Sequence, residues 1–209
     1  FVVGEQRRGE LVRYDTKKQQ FVRYLSGISA EAVSFSKDGE WVAYVTYPDG
    51  SLWRSKADGS QRLQLTVPPM VAFLPRWAPD GKKIVFMGRM PGRPTKIYLV
   101  SAESGSPQQL TPEEQTESDP NWSPDGTTLV FTAGARASGN FAIHLLDMNT
   151  RKVSALPDAE KLFSPRWSPD GRYMVALPGN AGKLMLYDFA THQWSELVNK
   201  PCGYPAWSR

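Results

Sequence analysis

A chain of 209 residues with 40% hydrophobic side chains is long enough to bury a sizeable core, and its 22% charged content excludes a disordered chain. No apolar run approaches the roughly 20 residues of a membrane-spanning helix, and the single cysteine, Cys202, excludes an internal disulfide and cannot build a zinc site. The formal charge of +4 falls short of a clustered basic footprint, so neither a nucleic-acid partner nor membrane insertion is expected.

The opening residues, Phe1-Val2-Val3-Gly4-Glu5, do not read as a signal peptide, although a processed or excised chain would have lost one. Residues 1–4, 11–14 and 21–25 are the first β-rich runs. A five-residue phrase then recurs: Phe35-Ser36-Lys37-Asp38-Gly39, Trp77-Ala78-Pro79-Asp80-Gly81, Trp122-Ser123-Pro124-Asp125-Gly126, Trp167-Ser168-Pro169-Asp170-Gly171 and the stub Trp207-Ser208. The intervals between their first residues are 42, 45, 45 and 40, which is one repeated unit with loops of unequal length.

After each phrase comes a run of β-branched and aromatic residues, at 41–45, 84–87, 129–132 and 173–177, suited to a pleated and partly buried surface. A loop of variable length leads to a third strand at 52–55, 97–100, 143–146 and 184–187. Turn residues then precede a short, partly polar fourth strand at 62–66, 108–111, 152–156 and 193–197, whose polarity fits an outer edge. Within the phrase, Pro sets φ for the first turn position and Asp bonds nearby amides. Gly supplies the positive φ of a tight hairpin. Asp80, Asp125 and Asp170 are thus read as turn residues, since one carboxylate per turn leaves a metal shell unsupplied.

Four strands per unit of about 40–45 residues, with no helical period between them, predicts an all-β propeller of four-stranded antiparallel blades. Residues 1–25 supply strands two, three and four of a blade, and residues 204–208 supply a first strand that stops before its turn. The expected blades are 1–25 plus 203–209, 30–67, 72–112, 118–157 and 162–198, about five in one domain. Pairing of the two ends would close the ring; a fragment of a larger propeller is the alternative.

The phrase turns, the β-rich strand after each, and the endings Gln64-Leu65-Thr66 and Gln109-Leu110-Thr111 make the whole chain resemble the TolB-type, WD-like propeller family. That family includes periplasmic proteins of the bacterial envelope. Related repeats serve as sensor or interaction domains of cytoplasmic regulators and kinases, and as gating propellers of peptidases. The resemblance implies a non-catalytic interaction or sensor scaffold, a bacterial and periplasmic location, and no cofactor. TolB is six-bladed, so the count of five departs from the pattern.

No catalytic constellation and no metal-ligand spacing emerge from the residues. His144 alternates with strand residues, His192 sits in a turn, no Gly-x-Ser-x-Gly elbow occurs, and Gly179-Asn180-Ala181-Gly182-Lys183 joins two strands without the helix a phosphate loop needs. What remains is surface. The loops between strands two and three carry Arg7 and Arg8, Arg89, Arg93 and Lys96, Arg136, and Lys183, while acidic residues gather in the blade connections at Glu113, Glu114, Glu117, Asp119, Asp158 and Glu160. Such a rim suits a polar protein partner. Arg76 and Arg166, each just before a phrase Trp and echoed by Asn121, are candidates to line the central channel and take a small anion, or to pair with carboxylates on the adjoining blade. The competing class is a propeller enzyme, a polysaccharide lyase or glycosidase with carboxylates, His or a metal at the axis, or the accessory propeller of a peptidase.

Overall fold

The structure, a computed structural model, describes residues 8–112 and 115–207. The predicted strand at 1–4 and the candidate Arg7, with Glu113, Glu114 and Ser208, lie outside the described residues. A two-stranded ribbon, β1 (Val12–Asp15) and β2 (Gln20–Arg23), precedes four sheets of four strands each. The first is β3 (Ala30–Phe35), β4 (Trp41–Thr46), β5 (Leu52–Lys56) and β6 (Leu63–Gln64). The second is β7 (Val71–Trp77), β8 (Lys83–Arg89), β9 (Lys96–Ser101) and β10 (Gln108–Gln109). The third is β11 (Glu117–Trp122), β12 (Thr128–Ala135), β13 (Asn140–Asp147) and β14 (Val153–Glu160), and the fourth is β15 (Leu162–Trp167), β16 (Tyr173–Pro178), β17 (Leu184–Asp188) and β18 (Gln193–Val198). Every sheet pairs its strands antiparallel in chain order, as a propeller blade does.

The phrase turns are built as their composition dictates. Gly39, Gly81, Gly126 and Gly171 have φ between 69° and 76°, and each donates its N–H to the carbonyl of the phrase's second residue. In three blades the Ser hydroxyl donates to the Asp (Ser36 to Asp38 2.5 Å, Ser123 to Asp125 2.6 Å, Ser168 to Asp170 2.5 Å). The same Asp oxygen accepts the N–H of Glu40, Thr127 or Arg172, and the Ser oxygen accepts the N–H that opens the next strand. These carboxylates are consumed by turn-making.

The core lies between blades. The second strands are buried on both faces, with Val42, Ala43, Val45, Ile84, Val85, Phe86, Leu129 and Val130 at 0% exposure, because each sheet packs on a neighbour at either side. Outer strands β6 and β10 hold only two residues each, shorter than predicted. Leu65 and Leu110 turn inward to the inter-blade core, and the Thr66 hydroxyl accepts the Leu52 N–H at 2.8 Å where a ladder carbonyl would have served. β14, by contrast, outruns its prediction to reach Glu160, opposite Ala142.

Of the expected fifth blade, the described residues show β1, β2 and Tyr204–Trp207, and the last contains no strand. The ribbon docks on the first blade: Gly9 N–H donates to Ser29 Oγ at 3.0 Å and the Tyr24 hydroxyl to the Ala57 carbonyl at 2.8 Å.

Candidate functional site

Each innermost strand is broken at one place. Ala32, Leu74, Asp119 and Ser164 have φ of 52°, 43°, 53° and 55°, and the pairing register slips there in all four blades. Each stands three residues before the phrase aromatic, and Tyr204, with φ of 51°, stands three before Trp207. A bulge adds twist and re-aims the side chains after it. Here it brings the residue before each aromatic, Ser34, Arg76, Asn121, Arg166 and Ala206, to one axial cavity. The innermost strands of the four blades therefore share a hub.

That cavity measures about 740 Å³ and opens where the phrase turns lie. Its walls are the phrase indoles and prolines, among them Trp77, Trp122, Trp167 and Pro124, with Tyr204 and Trp207 at the C-terminal side. The blades are stitched around it in alternation. Where a blade offers Ser34 or Asn121, the side-chain oxygen accepts the backbone N–H of the next blade's Trp77 (3.3 Å) or Trp167 (2.9 Å). Where it offers Arg76 or Arg166, the backbone carbonyl instead accepts the indole N–H of Trp122 (3.3 Å) or Trp207 (3.0 Å). The indole N–H groups of Trp77 and Trp167 are buried and have no partner among the described residues.

The two hub arginines differ in their neighbours. Arg166 approaches Asp119 of the preceding blade at 3.7 Å, with side chains 12% and 19% exposed, an ion pair longer than a full hydrogen bond. Burial lowers the Arg166 pKa, and the Asp119 charge opposes that shift. Arg76 has no carboxylate within 4.0 Å among the described residues; its Nη1 donates to the Pro75 carbonyl at 3.0 Å. Burial, reinforced by the Arg166 charge and opposed by Asp119, pushes the Arg76 pKa down to about 10, so it stays cationic at neutral pH. The pairing expected for both arginines is thus present for Arg166 alone.

The rim residues are dispersed by blade. Arg8 is exposed ahead of β1, Arg89 ends β8 and lies 5.5 Å from the Phe73 ring, and Arg93 is exposed in the following loop. Arg136 opens the 3-10 turn Arg136–Ser138 and stacks at 3.5 Å over Phe163 of the next blade. Two sequence expectations are corrected here. Lys96 is not a rim charge but is buried, its Nζ 2.7 Å from Glu117 Oε1, and Glu117 is likewise no surface acid. Glu117 also accepts the Ile97 N–H at 3.2 Å and the Thr111 hydroxyl, so one carboxylate holds β9 of the second blade to β11 of the third. Lys183 is paired with Glu196 at 3.1 Å.

Asp119 was missed as a hub residue because it reads as one of several acids in a connection. The available signal was a proline two residues before the phrase Trp, at Pro75, Pro120, Pro165 and Pro205, marking the kinked segment. Among the described residues no group of three His, Cys, Asp or Glu side chains stands close enough to hold a metal, and no helix is long and apolar enough to cross a membrane.

A family model described as the TolB beta propeller domain matches residues 6–209. Among solved structures, a TolB from Acinetobacter baumannii superposes with a TM-score of 0.74 at 21% identity, covering 91% of this chain and 49% of that one. A protein assigned as TolB from Agrobacterium tumefaciens gives 0.72 at 19%, covering 92% and 70%. An oligogalacturonate lyase in complex with manganese gives 0.73 at 13%, covering 95% and 62%. This chain therefore spans from about half to 70% of the length of these structures, and at such identities the likeness is one of fold. Comparison with curated proteins by sequence finds no match.

Proposed function

The chain belongs to the TolB beta-propeller domain family, and on that premise we propose that it is a non-catalytic interaction scaffold, binding a protein partner through the face that carries the strand two–three loops and the blade connections. One observation carries this reading: the two faces are built under opposite constraints. The phrase-turn face repeats the same hydrogen-bonded turn in every blade, so its shape is uniform. The opposite face varies from blade to blade in length and chemistry, with Arg8, Arg89, Arg93 and Arg136 exposed there beside exposed Asp158 and Glu160. Varied loops on a rigid scaffold are where recognition is placed. A mixed, Arg-bearing rim favours a polar partner of complementary charge, with association sensitive to salt. We extend the proposal to a bacterial, periplasmic setting, supported by the family.

A photo-reactive residue placed at Arg93, compared with one placed at Asp170 on the phrase-turn face, tests the reading in cells of the source bacterium. Cross-linking to a discrete protein from position 93, lost on Arg89→Glu and absent from position 170, is the expected outcome. Cross-links from position 170 alone would assign recognition to the wrong face. Incubation with oligogalacturonate and manganese gives no cleavage if the scaffold reading holds, and turnover would replace it with the enzymatic one.

A further inference from the structure

The hub cavity holds an excess of partly buried positive charge over the carboxylates of the described residues. Arg76, Arg166 and Lys37 line it, and among the described residues the one carboxylate paired with either arginine is Asp119, whose ion pair is with Arg166. A guanidinium presents five donors. The Arg76 group spends one on the Pro75 carbonyl and has no other partner among the described residues. Beside it, the Asn121 Oδ1 is fixed by the Trp167 N–H at 2.9 Å, which sets the orientation of the amide and leaves its Nδ2 hydrogens unused among the described residues. Two donor groups of adjoining blades therefore stand at one cavity with no acceptor supplied by the described residues. Around them the wall is indole, proline and phenol, from Trp77, Trp122, Pro79, Pro124 and Tyr204.

We propose that this hub is a binding site for a carboxylate carried on an apolar body, with the carboxylate on Arg76 and the Asn121 amide and the apolar part against the Trp and Pro wall. The chemistry follows from complementarity. A planar carboxylate matches the guanidinium fork and accepts the amide hydrogens, and its negative charge complements the Arg76 cation. The cavity of about 740 Å³ is within the range of sites that enclose small organic ligands. A purely inorganic anion would leave the aromatic wall unused, and a neutral aromatic would leave Arg76 desolvated without an acceptor. The site lies on the phrase-turn face, so it stands or falls independently of the loop-face reading. Two sources supply this chemistry, a free small acid and the C-terminal carboxylate of a peptide ending in an apolar residue.

Calorimetric titration of the purified chain with phenylacetate, with phenylacetamide as the neutral isostere, tests the site. N-acetylated Ala-Ala-Phe, with a free or an amidated C-terminus, tests the source. Expected are one saturable site for phenylacetate, binding weaker by about tenfold or more for the amide, a similar loss on Arg76→Gln, and no change on replacing an exposed residue remote from the cavity, Lys152→Gln. Tighter binding of the free peptide than of phenylacetate assigns a chain terminus, and binding of phenylacetate alone assigns a small acid; both uphold the site. If Arg76→Gln fails to fold, the Arg76 Nε–H resonance of the unmodified protein must shift on phenylacetate addition. No binding up to about 10 mM, equal binding of acid and amide, or an unmoved Arg76 resonance overturns the proposal.

Discussion

Replacing Glu117 by Ala should be among the costliest single changes outside the apolar core. Its side chain is 1% exposed and that of Lys96 is 4% exposed, so the substitution takes the Glu117 charge from an ammonium group that has almost no access to water and also donates to the Gln115 carbonyl at 3.2 Å. Removing one partner of such a pair costs about 3–5 kcal/mol. The Ile97 N–H and the Thr111 hydroxyl lose their acceptor as well, and an orphaned buried donor costs about 1–3 kcal/mol. These losses share one site and do not add fully, so we expect about 4 kcal/mol in all. For a chain of this size that is a fall in Tm of roughly 8–16 °C. Urea unfolding reads it as a lowered midpoint at constant slope. The double variant Lys96→Met/Glu117→Gln, which removes both charges and keeps an amide oxygen for the Ile97 N–H, should recover to within about 1 kcal/mol of the parent. A single-variant cost below about 1 kcal/mol, or a double variant no better than the single, would refute the reasoning that this pair is a dry strap between the second and third blades.

Three further outcomes follow from the geometry. Asp38, Asp125 and Asp170 have pKa values held below the ordinary 3.8, first by the neighbouring Ser hydroxyl and then by a backbone N–H. Their contribution is complete above the unfolded value and is lost as pH falls through the depressed folded ones, so urea midpoints should drop below about pH 4. Asp125→Asn should flatten that fall, and an unchanged slope would deny the turns this role. Arg54 donates Nε to the Ala102 carbonyl of the next blade at 2.9 Å and Nη1 to the Gln61 carbonyl at 2.8 Å while lying 4.4 Å over Trp41. Arg54→Lys loses the fork and should cost about 1–2 kcal/mol in the same assay. Gly134, with φ of 102°, has no room for a Cβ against the Asn140 carbonyl; Gly134→Ala should destabilise by more than about 1 kcal/mol, read from thermal unfolding.

The periodic part of this molecule was the legible part. A hairpin turn needs particular residues at particular offsets, so Asp125-Gly126 and its relatives announced both the turn and the strands on either side. The short outer strands β6 and β10 were over-read because Leu65-Thr66 and Leu110-Thr111 have strand composition but spend it on the inter-blade core. At the hub, Arg76 and Arg166 were visible from their place before the phrase Trp, whereas Asp119 was not, because its role depends on a backbone kink that brings it to a residue of the next blade. Lys96 and Glu117 misled for a related reason. Charged residues next to loops read as solvated, and only three dimensions show two of them meeting at the seam between sheets. Residues distant in sequence and joined by complementarity alone leave no local pattern to read.

The left-handed kink in every innermost strand has a consequence for how such a molecule can change. The second residue after the kink faces the axis, yet the ladder beyond it is already re-established, so the identity of that residue is decoupled from sheet pairing. Serine, arginine and asparagine occupy equivalent spokes of the four innermost strands without altering their pairing. A scaffold arranged in this way can vary the chemistry at its axle without disturbing the ladders, and what a substitution there puts at stake is the seam between blades that Ser34 and Asn121 hold.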